Sequence, residues 1–263
     1  MSTASTATAV ATLHLAACRA VLAGDVPDEL AAAPGTRCVE MRAPHRATAP
    51  GASYAVEAVT ALGADLADAA VFTFAGPPGS ALHLFQAGRE SANGPLVSAG
   101  FGRERSRRIH PFTVLLALQN QVAATLSLEL GLRGPCCSTT DSAAAFVDLL
   151  PNMALATRDR PVLAVFASAA NRAEHRTRGI HQSGITSFVE GAVALLFEEE
   201  GELGSVASDE VVGGPFTHPS SPRYAPVLEP GLSILLALAR RLDQARFEIR
   251  EPQRTTAFRW SRP

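Results

Sequence analysis

Residues 131–146 decide the fold, and they read Gly-Leu-Arg-Gly-Pro-Cys-Cys-Ser-Thr-Thr-Asp-Ser-Ala-Ala-Ala-Phe. The glycines and the proline at the start are turn signals, and the run that follows them favours a β-strand. Good helix formers begin at Ala143, and either Asp141 or Ser142 is placed to cap a helix there. The stretch therefore predicts a turn, a strand and a helix in close succession.

Upstream of this stretch, the chain divides into apolar runs separated by turns. Periodicity alone does not decide between strand and helix over Thr8 to Leu22, and we favour a strand. Val26 to Gly51 is rich in Pro, Ala and Arg and predicts a short helix with loops. Helical spacing from Ser53, which is expected to be the N-cap, predicts a helix to Leu66. Ala69 to Ala75 predicts a buried strand that ends at a Gly-Pro-Pro-Gly turn.

The rest of the chain continues the alternation of strands and helices. Pro111 to Leu130 is apolar almost throughout, so we expect a buried helix that ends at Gly131. Pro151 is expected to kink or end the helix that starts near Ala143. The remaining predicted elements are two buried strands, a helix and a closing hairpin, over Val162–Ser168, Ala192–Phe197, Leu232–Leu242, and Ala245–Ile249 with Thr255–Trp260. Such alternation predicts an α/β fold with layered αβα architecture.

Composition limits the classes of function. The chain has 263 residues, 47% hydrophobic content and a formal charge of -2, so it can bury a sizeable core and has no net field to attract nucleic acid or an anionic membrane. No apolar run reaches the roughly 18 residues of a spanning helix. We therefore expect a soluble cytoplasmic protein, with a disordered Ser/Thr/Ala tail at residues 1–7 and a single domain over residues 8–263.

Cationic and thiol side chains narrow the chemistry further. All 23 cationic side chains are arginine, which excludes any lysine-based chemistry. Cys18, Cys38, Cys136 and Cys137 lack C-x-x-C or Cys/His metal spacing. We therefore expect reduced thiols, no metal site and no cofactor.

The stretch at 131–146 resembles the active-site segment of the β-ketoacyl synthases. In that family a Gly-Leu-x-Gly-Pro turn leads into a buried strand, and the nucleophilic cysteine stands at the strand-to-helix junction. Counting eight positions from Pro135, as the family pattern requires, reaches Ala143, whose methyl group cannot attack a thioester. Further pieces are similar to the family in the same order, at Ala69–Gly79, His110–Phe112, Asn120–Ala123, Val162–Val165 and Phe188–Glu198.

The resemblance implies a truncated thiolase-like fold, which is the first half of a ketosynthase followed by a short helix and a hairpin. A complete ketosynthase takes two histidines and a lysine from its second half, whereas His218 is the only histidine beyond Glu190 here. The chain resembles the short chain-length-factor subunits of type II polyketide and aryl-polyene pathways. We therefore expect an accessory subunit without catalytic activity of its own. The implied partners are a full-length catalytic ketosynthase and an acyl carrier protein with a phosphopantetheine-tethered acyl chain.

The same resemblance implies roles for three groups of residues. The strand after Pro135 is expected to pair across a heterodimer axis, with an interface formed by Cys136, Cys137, Ser138, Thr139 and Thr140. Four apolar side chains are expected to limit the depth of the partner's acyl tunnel, with core packing as the alternative: Leu82, Leu84, Phe85 and Phe112. One cationic cluster is expected to dock an acidic carrier, with a solvated loop as the alternative: Arg103, Arg105, Arg107 and Arg108.

Two alternatives to an accessory subunit stay open at this point. In the first, a small acyltransferase or thioesterase uses Cys137 or Ser142 as its nucleophile. Either thiol, of Cys136 or of Cys137, could take His110, His175 or His181 as its base. Against it, both cysteines are expected to be buried, and no Gly-x-Ser-x-Gly elbow surrounds Ser142. In the second, a homodimeric pseudoenzyme binds an acyl carrier without any ketosynthase partner.

Overall fold

The computed structural model describes residues 11–42, 50–76, 120–140, 142–169, 189–209, 226–251 and 254–263. The described elements, in chain order, are β1 Thr12–Gly24, α1 Asp28–Ala31, β2 Thr36–Val39, α2 Pro50–Thr60, β3 Ala70–Ala75, α3 Gln121–Leu130, β4 Cys136–Thr140, α4 Ala144–Ala156, β5 Val162–Ser168, β6 Val189–Glu198, β7 Gly204–Asp209, α5 Glu229–Ala239, β8 Gln244–Glu251 and β9 Arg254–Ser261. A 3₁₀ turn at Pro226–Leu228 precedes α5. The predicted tail at residues 1–7 lies outside the described ranges.

The nine described strands form one mixed sheet. Its order is β4-β3-β5-β6-β1-β7-β9-β8, and β2 pairs in parallel with β1 beside this path. β4, β3 and β5 are mutually parallel, whereas the pairs from β5 to β8 are antiparallel. β3 and β5 are buried along their whole length, which explains their mostly apolar sequences. Within the described residues, β4 pairs only with β3 and so lies at one end of the sheet.

Helices cover both faces of the sheet. One buried cluster includes Phe146 of α4 and Leu235 of α5, and the other includes Tyr54 of α2 and Leu126 of α3. This is the predicted layered αβα arrangement. Helix α4 contacts β3 near one end of the sheet and also β8 and β9 at the other end. The sheet therefore curls around α4 and brings the C-terminal hairpin back towards β4.

Several predicted elements are confirmed. β1 is a strand, β5 has the predicted bounds, and β3, β6 and the hairpin of β8 and β9 lie where they were expected. Gly131 ends α3 with φ 66°, a left-handed conformation that glycine adopts without strain. The predicted helix at Leu232–Leu242 is α5, displaced towards the N-terminus.

Two predictions about helix ends and burial are wrong, and one of the two outcomes predicted for Pro151 is excluded. Ser53 is not an N-cap, because α2 begins at Pro50; proline is common at the first position of a helix. The run to Leu130 is not buried in its described part, because α3 packs one face against α2 and leaves Leu128 85% exposed. Pro151, which is predicted to kink or end α4, does not end it, because the helix continues to Ala156.

Two strands were not predicted. β2 lies within the region that was predicted as a short helix with loops, and none of its residues is buried. β7 consists of small and polar residues, of which only Gly204 and Val206 are buried. Both strands are held by pairing with β1, so tertiary context and not local sequence determines them.

Gly134 lies where the turn before β4 meets the backbone that leads into β3. An added Cβ would lie 1.9 Å from the carbonyl oxygen of Ala69. The neighbouring Arg133 N–H donates a hydrogen bond of 2.7 Å to the Ala67 carbonyl. The turn is therefore fixed against main-chain atoms, which cannot rotate away as a side chain would.

We expect Gly134→Ala to lower the free energy of unfolding by about 1–3 kcal/mol, because the methyl group overpacks this contact. Gly51→Ala in α2 is the matched control, since its added Cβ would meet its nearest atom, Ala169 N, at 3.5 Å. Alanine is the better helix former, so the control should be neutral or stabilising. Urea denaturation of both variants measures the difference, and equal effects would refute this account of the turn.

Candidate functional site: the junction of β4 and α4

Ala143 lies at the junction between β4 and α4, as the sequence predicts. It occupies the N-cap position of α4 with φ -73° and ψ -35°. Its side chain is 1% exposed and belongs to the same buried cluster as Phe146. The strand-turn-helix order places a side chain at this position in the core, but a methyl group supplies neither a nucleophile nor a proton donor.

The first turn of α4 is capped by two other side chains. The Ser142 hydroxyl accepts a hydrogen bond of 3.1 Å from the Ala145 N–H, which confirms the predicted capping role of Ser142. The Glu251 carboxylate, at the end of β8, accepts hydrogen bonds from the Ser142 hydroxyl at 2.9 Å and the Ala144 N–H at 3.1 Å. Two backbone donors at the start of α4 are therefore satisfied by side chains.

Charges around Glu251 favour its ionised form. Partial burial tends to raise the pKa of its carboxyl, but the hydrogen bonds from Ala144, Ser142 and Arg254 outweigh burial and hold that pKa below its ordinary value. Arg254 also pairs with Asp148 of α4 at 2.7 Å. Since the folded pKa is lower than the unfolded one, this cap stabilises the fold at neutral pH, and the stabilisation is lost as pH falls through the folded pKa.

Aromatic side chains fill the space between α4 and the sheet. The Phe146 ring meets the rings of Phe74, Phe166 and Phe258 with centroid distances of 5.7, 5.2 and 5.5 Å. Each of these contacts is edge-on, which is a favourable geometry for aromatic pairs. Phe258 belongs to β9, so the C-terminal hairpin packs against the helix that starts after Ala143.

The adjacent cysteines Cys136 and Cys137 are less buried than the sequence predicts. Cys136 is exposed and Cys137 is half-buried, because β4 is an end strand among the described residues and not a central one. The prediction that both are buried is therefore wrong. Partial burial, and then the neighbouring Cys137, raise the pKa of the Cys136 thiol, which disfavours the nucleophilic thiolate. The candidate bases His110, His175 and His181 lie outside the described residues.

The predicted interface strand has one side without a strand partner in the described part of the chain. The Val71 N–H donates to the Pro135 carbonyl at 2.8 Å. Because main-chain bonds alternate along a parallel pair, the N–H and C=O groups of Cys136, Ser138 and Thr140 point away from β3. The Thr73 hydroxyl donates to the Ser138 hydroxyl at 2.9 Å.

A second polar cluster links α2 to the start of β6. Glu190 is 3% exposed, and it accepts a hydrogen bond of 2.6 Å from the Tyr54 hydroxyl. The Tyr54 oxygen accepts in turn from the Arg42 N–H at 2.9 Å, and the Arg42 guanidinium lies 4.8 Å from the centre of the Tyr54 ring. Burial and the bond to Glu190 both raise the pKa of Tyr54. This cluster fixes the strand that the resemblance assigns to the end of the ketosynthase half.

We expect Tyr54→Phe to lower the free energy of unfolding by about 1–3 kcal/mol, because the buried Glu190 carboxylate loses its tyrosine donor. Thr60→Ala in the same helix is the control. Its hydroxyl makes an exposed bond within α2, so its effect should stay within about 0.5 kcal/mol. Chemical denaturation at neutral pH compares the two, and an equally small effect of Tyr54→Phe would contradict the assigned role.

Two groups of predicted residues are not placed. The proposed tunnel residues Leu82, Leu84, Phe85 and Phe112 lie outside the described ranges, as does the arginine cluster Arg103, Arg105, Arg107 and Arg108. Sequence analysis in turn missed Glu251, which is 109 residues from Ser142. No local motif signals that contact, because it depends on the curl of the sheet.

The fold is that of ketosynthase-like proteins. A chain in the structure of the ketosynthase ApeO in complex with its chain length factor ApeC, from Xenorhabdus doucetiae, is 18% identical with a TM-score of 0.59, over 95% of this chain and 99% of that one. A chain in the AntDE:AntF structure, a type II polyketide synthase acyl-carrier protein in complex with its ketosynthase, is 11% identical with a TM-score of 0.56, over 97% of this chain and all of that one. The predicted truncated thiolase-like fold is therefore confirmed.

The remaining comparisons do not identify a family, and the described residues show neither a metal site nor a membrane-spanning helix. No protein-family model matches the sequence, and no curated protein matches it. In the described part of the chain, no three His, Cys, Asp or Glu side chains are grouped so that they could hold a metal ion. None of the described helices is long and apolar enough to cross a membrane.

Proposed function

We propose that the chain is a non-catalytic ketosynthase-like subunit, a chain-length factor, that binds a catalytic ketosynthase and helps to set the length of its product. The observation that carries the proposal is Ala143. Its methyl group is buried at the junction where the resemblance requires a thiol, and a methyl group cannot form a thioester. The subunit then acts on a reaction whose nucleophile belongs to its partner.

The position of β4 supports pairing with a second subunit. Three residues of this end strand direct their main-chain groups away from β3, and an incoming strand can bond to such groups. The side chains of β4 are small, which permits close approach. The shared fold of chains from two ketosynthase complexes agrees with this proposal. In the proposed complex, β4 pairs with the corresponding strand of a full-length ketosynthase.

The roles in chain length and carrier binding rest on the resemblance alone. Leu82, Leu84, Phe85 and Phe112 are proposed to limit the partner's acyl tunnel. The arginine cluster at 103–108 is proposed to bind an acidic acyl carrier protein, which delivers its phosphopantetheine-tethered chain to the partner. Opposite charges would then accelerate carrier association.

The nucleophile alternatives are not favoured by the local chemistry. The Ser142 hydroxyl donates to Glu251 and accepts from Ala145. A carboxylate with a lowered pKa is a weak base for a serine proton. Partial burial, and then the neighbouring Cys137, raise the pKa of the Cys136 thiol, which disfavours its thiolate. These residues are explained by helix capping and strand pairing.

Co-expression with a full-length ketosynthase encoded beside this chain tests the proposal. We expect the two proteins to co-purify in equal amounts and to form product only together. A homodimer of this chain that binds acyl carrier protein but no ketosynthase would contradict the proposal and support the homodimeric pseudoenzyme.

Truncation of the proposed tunnel residues should lengthen the product. Phe85→Ala or Phe112→Ala removes a large apolar side chain, and the space that it leaves can accept additional chain units. Leu155→Ala is the control, because Leu155 lies at the end of α4 and is 61% exposed. Mass spectrometry of the products measures their length, and unchanged lengths in both phenylalanine variants would remove these residues from the tunnel.

A further inference from the structure

The C-terminal hairpin supplies a negative charge to the junction at Ala143. Glu251 ends β8, which lies at the opposite end of the sheet order from β4. Its Oε1 atom nevertheless accepts hydrogen bonds from both Ser142 and Ala144, the residues on either side of Ala143. The carboxylate thus occupies the position at a helix start where backbone N–H groups attract an anion.

An arginine beside the Glu251 carboxylate and an aromatic contact between α4 and β9 hold this carboxylate in place. The Glu251 Oε2 atom lies 3.4 Å from Arg254 Nε of β9. Arg254 also pairs with Asp148 of α4 at 2.7 Å, so its charge is shared between two carboxylates. The Glu251 side chain is only 20% exposed. In the buried core, the edge-on contact of Phe146 with Phe258 joins α4 to β9.

We propose that Glu251 is the resident anion of the α4 N-terminus, and that it prevents this junction from stabilising any other anion. A reactive cysteine at a helix start depends on the helix to stabilise its thiolate. Here a carboxylate accepts hydrogen bonds from the Ala144 N–H and the Ser142 hydroxyl, and its charge opposes a second negative charge beside it. Restoring a thiol at position 143 would therefore not restore a reactive group. The inference concerns the chain alone and does not depend on any partner.

The test compares two variants of the full-length chain, Ala143→Cys and Ala143→Cys with Glu251→Gln. Glutamine keeps an acceptor oxygen for Ser142 and Ala144 and removes only the charge. Ultraviolet absorbance of the thiolate, titrated with pH against the unaltered chain as reference, reports the new thiol because the other four cysteines cancel. Burial at position 143 affects the thiol in both variants alike. The difference between their thiol pKa values therefore isolates the effect of the Glu251 charge.

We expect the thiol introduced at position 143 in the single variant to have a pKa above the ordinary thiol value of about 8.5. In the double variant, the pKa of this thiol should be lower by at least about one pH unit. Glu29→Gln is the matched control for Glu251→Gln, because Glu29 of α1 also pairs with an arginine, Arg240 at the C-cap of α5. A thiol that ionises below about 8.5 with Glu251 intact, or an equal pKa in both variants, would overturn the inference.

A second measurement needs no substitution at position 143. In the unaltered chain, the amide proton shift of Ala144 should follow the ionisation of Glu251, with a midpoint below the ordinary glutamate pKa of about 4.3. Glu251→Gln should abolish this titration, whereas Glu29→Gln should leave it unchanged. An Ala144 amide that titrates identically in the unaltered chain and in Glu251→Gln would refute the contact.

Discussion

Replacing Ser138 by proline is expected to abolish assembly with the proposed ketosynthase partner while the chain itself still folds. The N–H of Ser138 points away from β3, so proline removes a donor that no described strand uses. Proline is tolerated in an end strand when its missing N–H faces outward. An incoming strand would lose that hydrogen bond and meet the ring, and we expect at least a tenfold loss of co-purified partner, which is about 1.4 kcal/mol.

Ser138→Ala is the matched control for this variant. Both substitutions remove the hydrogen bond between the Thr73 and Ser138 hydroxyls, but only proline changes the main chain. We expect the alanine variant to bind the partner normally and the two variants to have similar far-ultraviolet circular dichroism. If the proline variant folds and still co-purifies in equal amounts, β4 is not the pairing strand.

In the proposed complex with a catalytic ketosynthase, replacing the partner's nucleophilic cysteine by alanine should lower product formation by roughly a thousandfold or more. The reason is that position 143 of this chain offers only a methyl group, so this position cannot supply a second nucleophile. Steady-state product formation from an acyl carrier substrate measures the loss.

Ser142→Ala in this chain provides the comparison. It should leave the rate within about twofold, although loss of the helix cap should lower the stability of the chain by about 1 kcal/mol. A thermal melt of the chain detects the stability change independently of the rate. Substantial residual turnover in the partner variant, abolished by Ser142→Ala, would instead support the acyltransferase alternative.

The local part of the site was predictable because it depends on nearby residues. Gly131 and Pro135 specify a turn through backbone conformation, and Ser142 caps a helix within three residues of itself. β5 was predicted with its observed bounds because a continuous apolar run between turns has few other solutions in an α/β fold. The position of Ala143 followed from these elements together with the family pattern.

The features that sequence analysis did not predict depend on contacts between distant parts of the chain. Cys136 is exposed because β4 has no second neighbour among the described strands, and sequence alone does not fix strand order. Leu128 belongs to an apolar run, but α3 packs only one face against α2. Glu251 reaches the junction only after the sheet has curled around α4. Each of these features is set by tertiary packing, which local propensity does not encode.

Intact mass spectrometry of the complex, after reaction with an acyl-thioester substrate, tests the central claim most directly. The claim is that this chain carries no acyl group at any stage of the reaction. The account predicts a covalent acyl adduct on the ketosynthase partner and an unchanged mass for this chain. An adduct on this chain that maps to Cys136, Cys137 or Ser142 and turns over with product formation would contradict it.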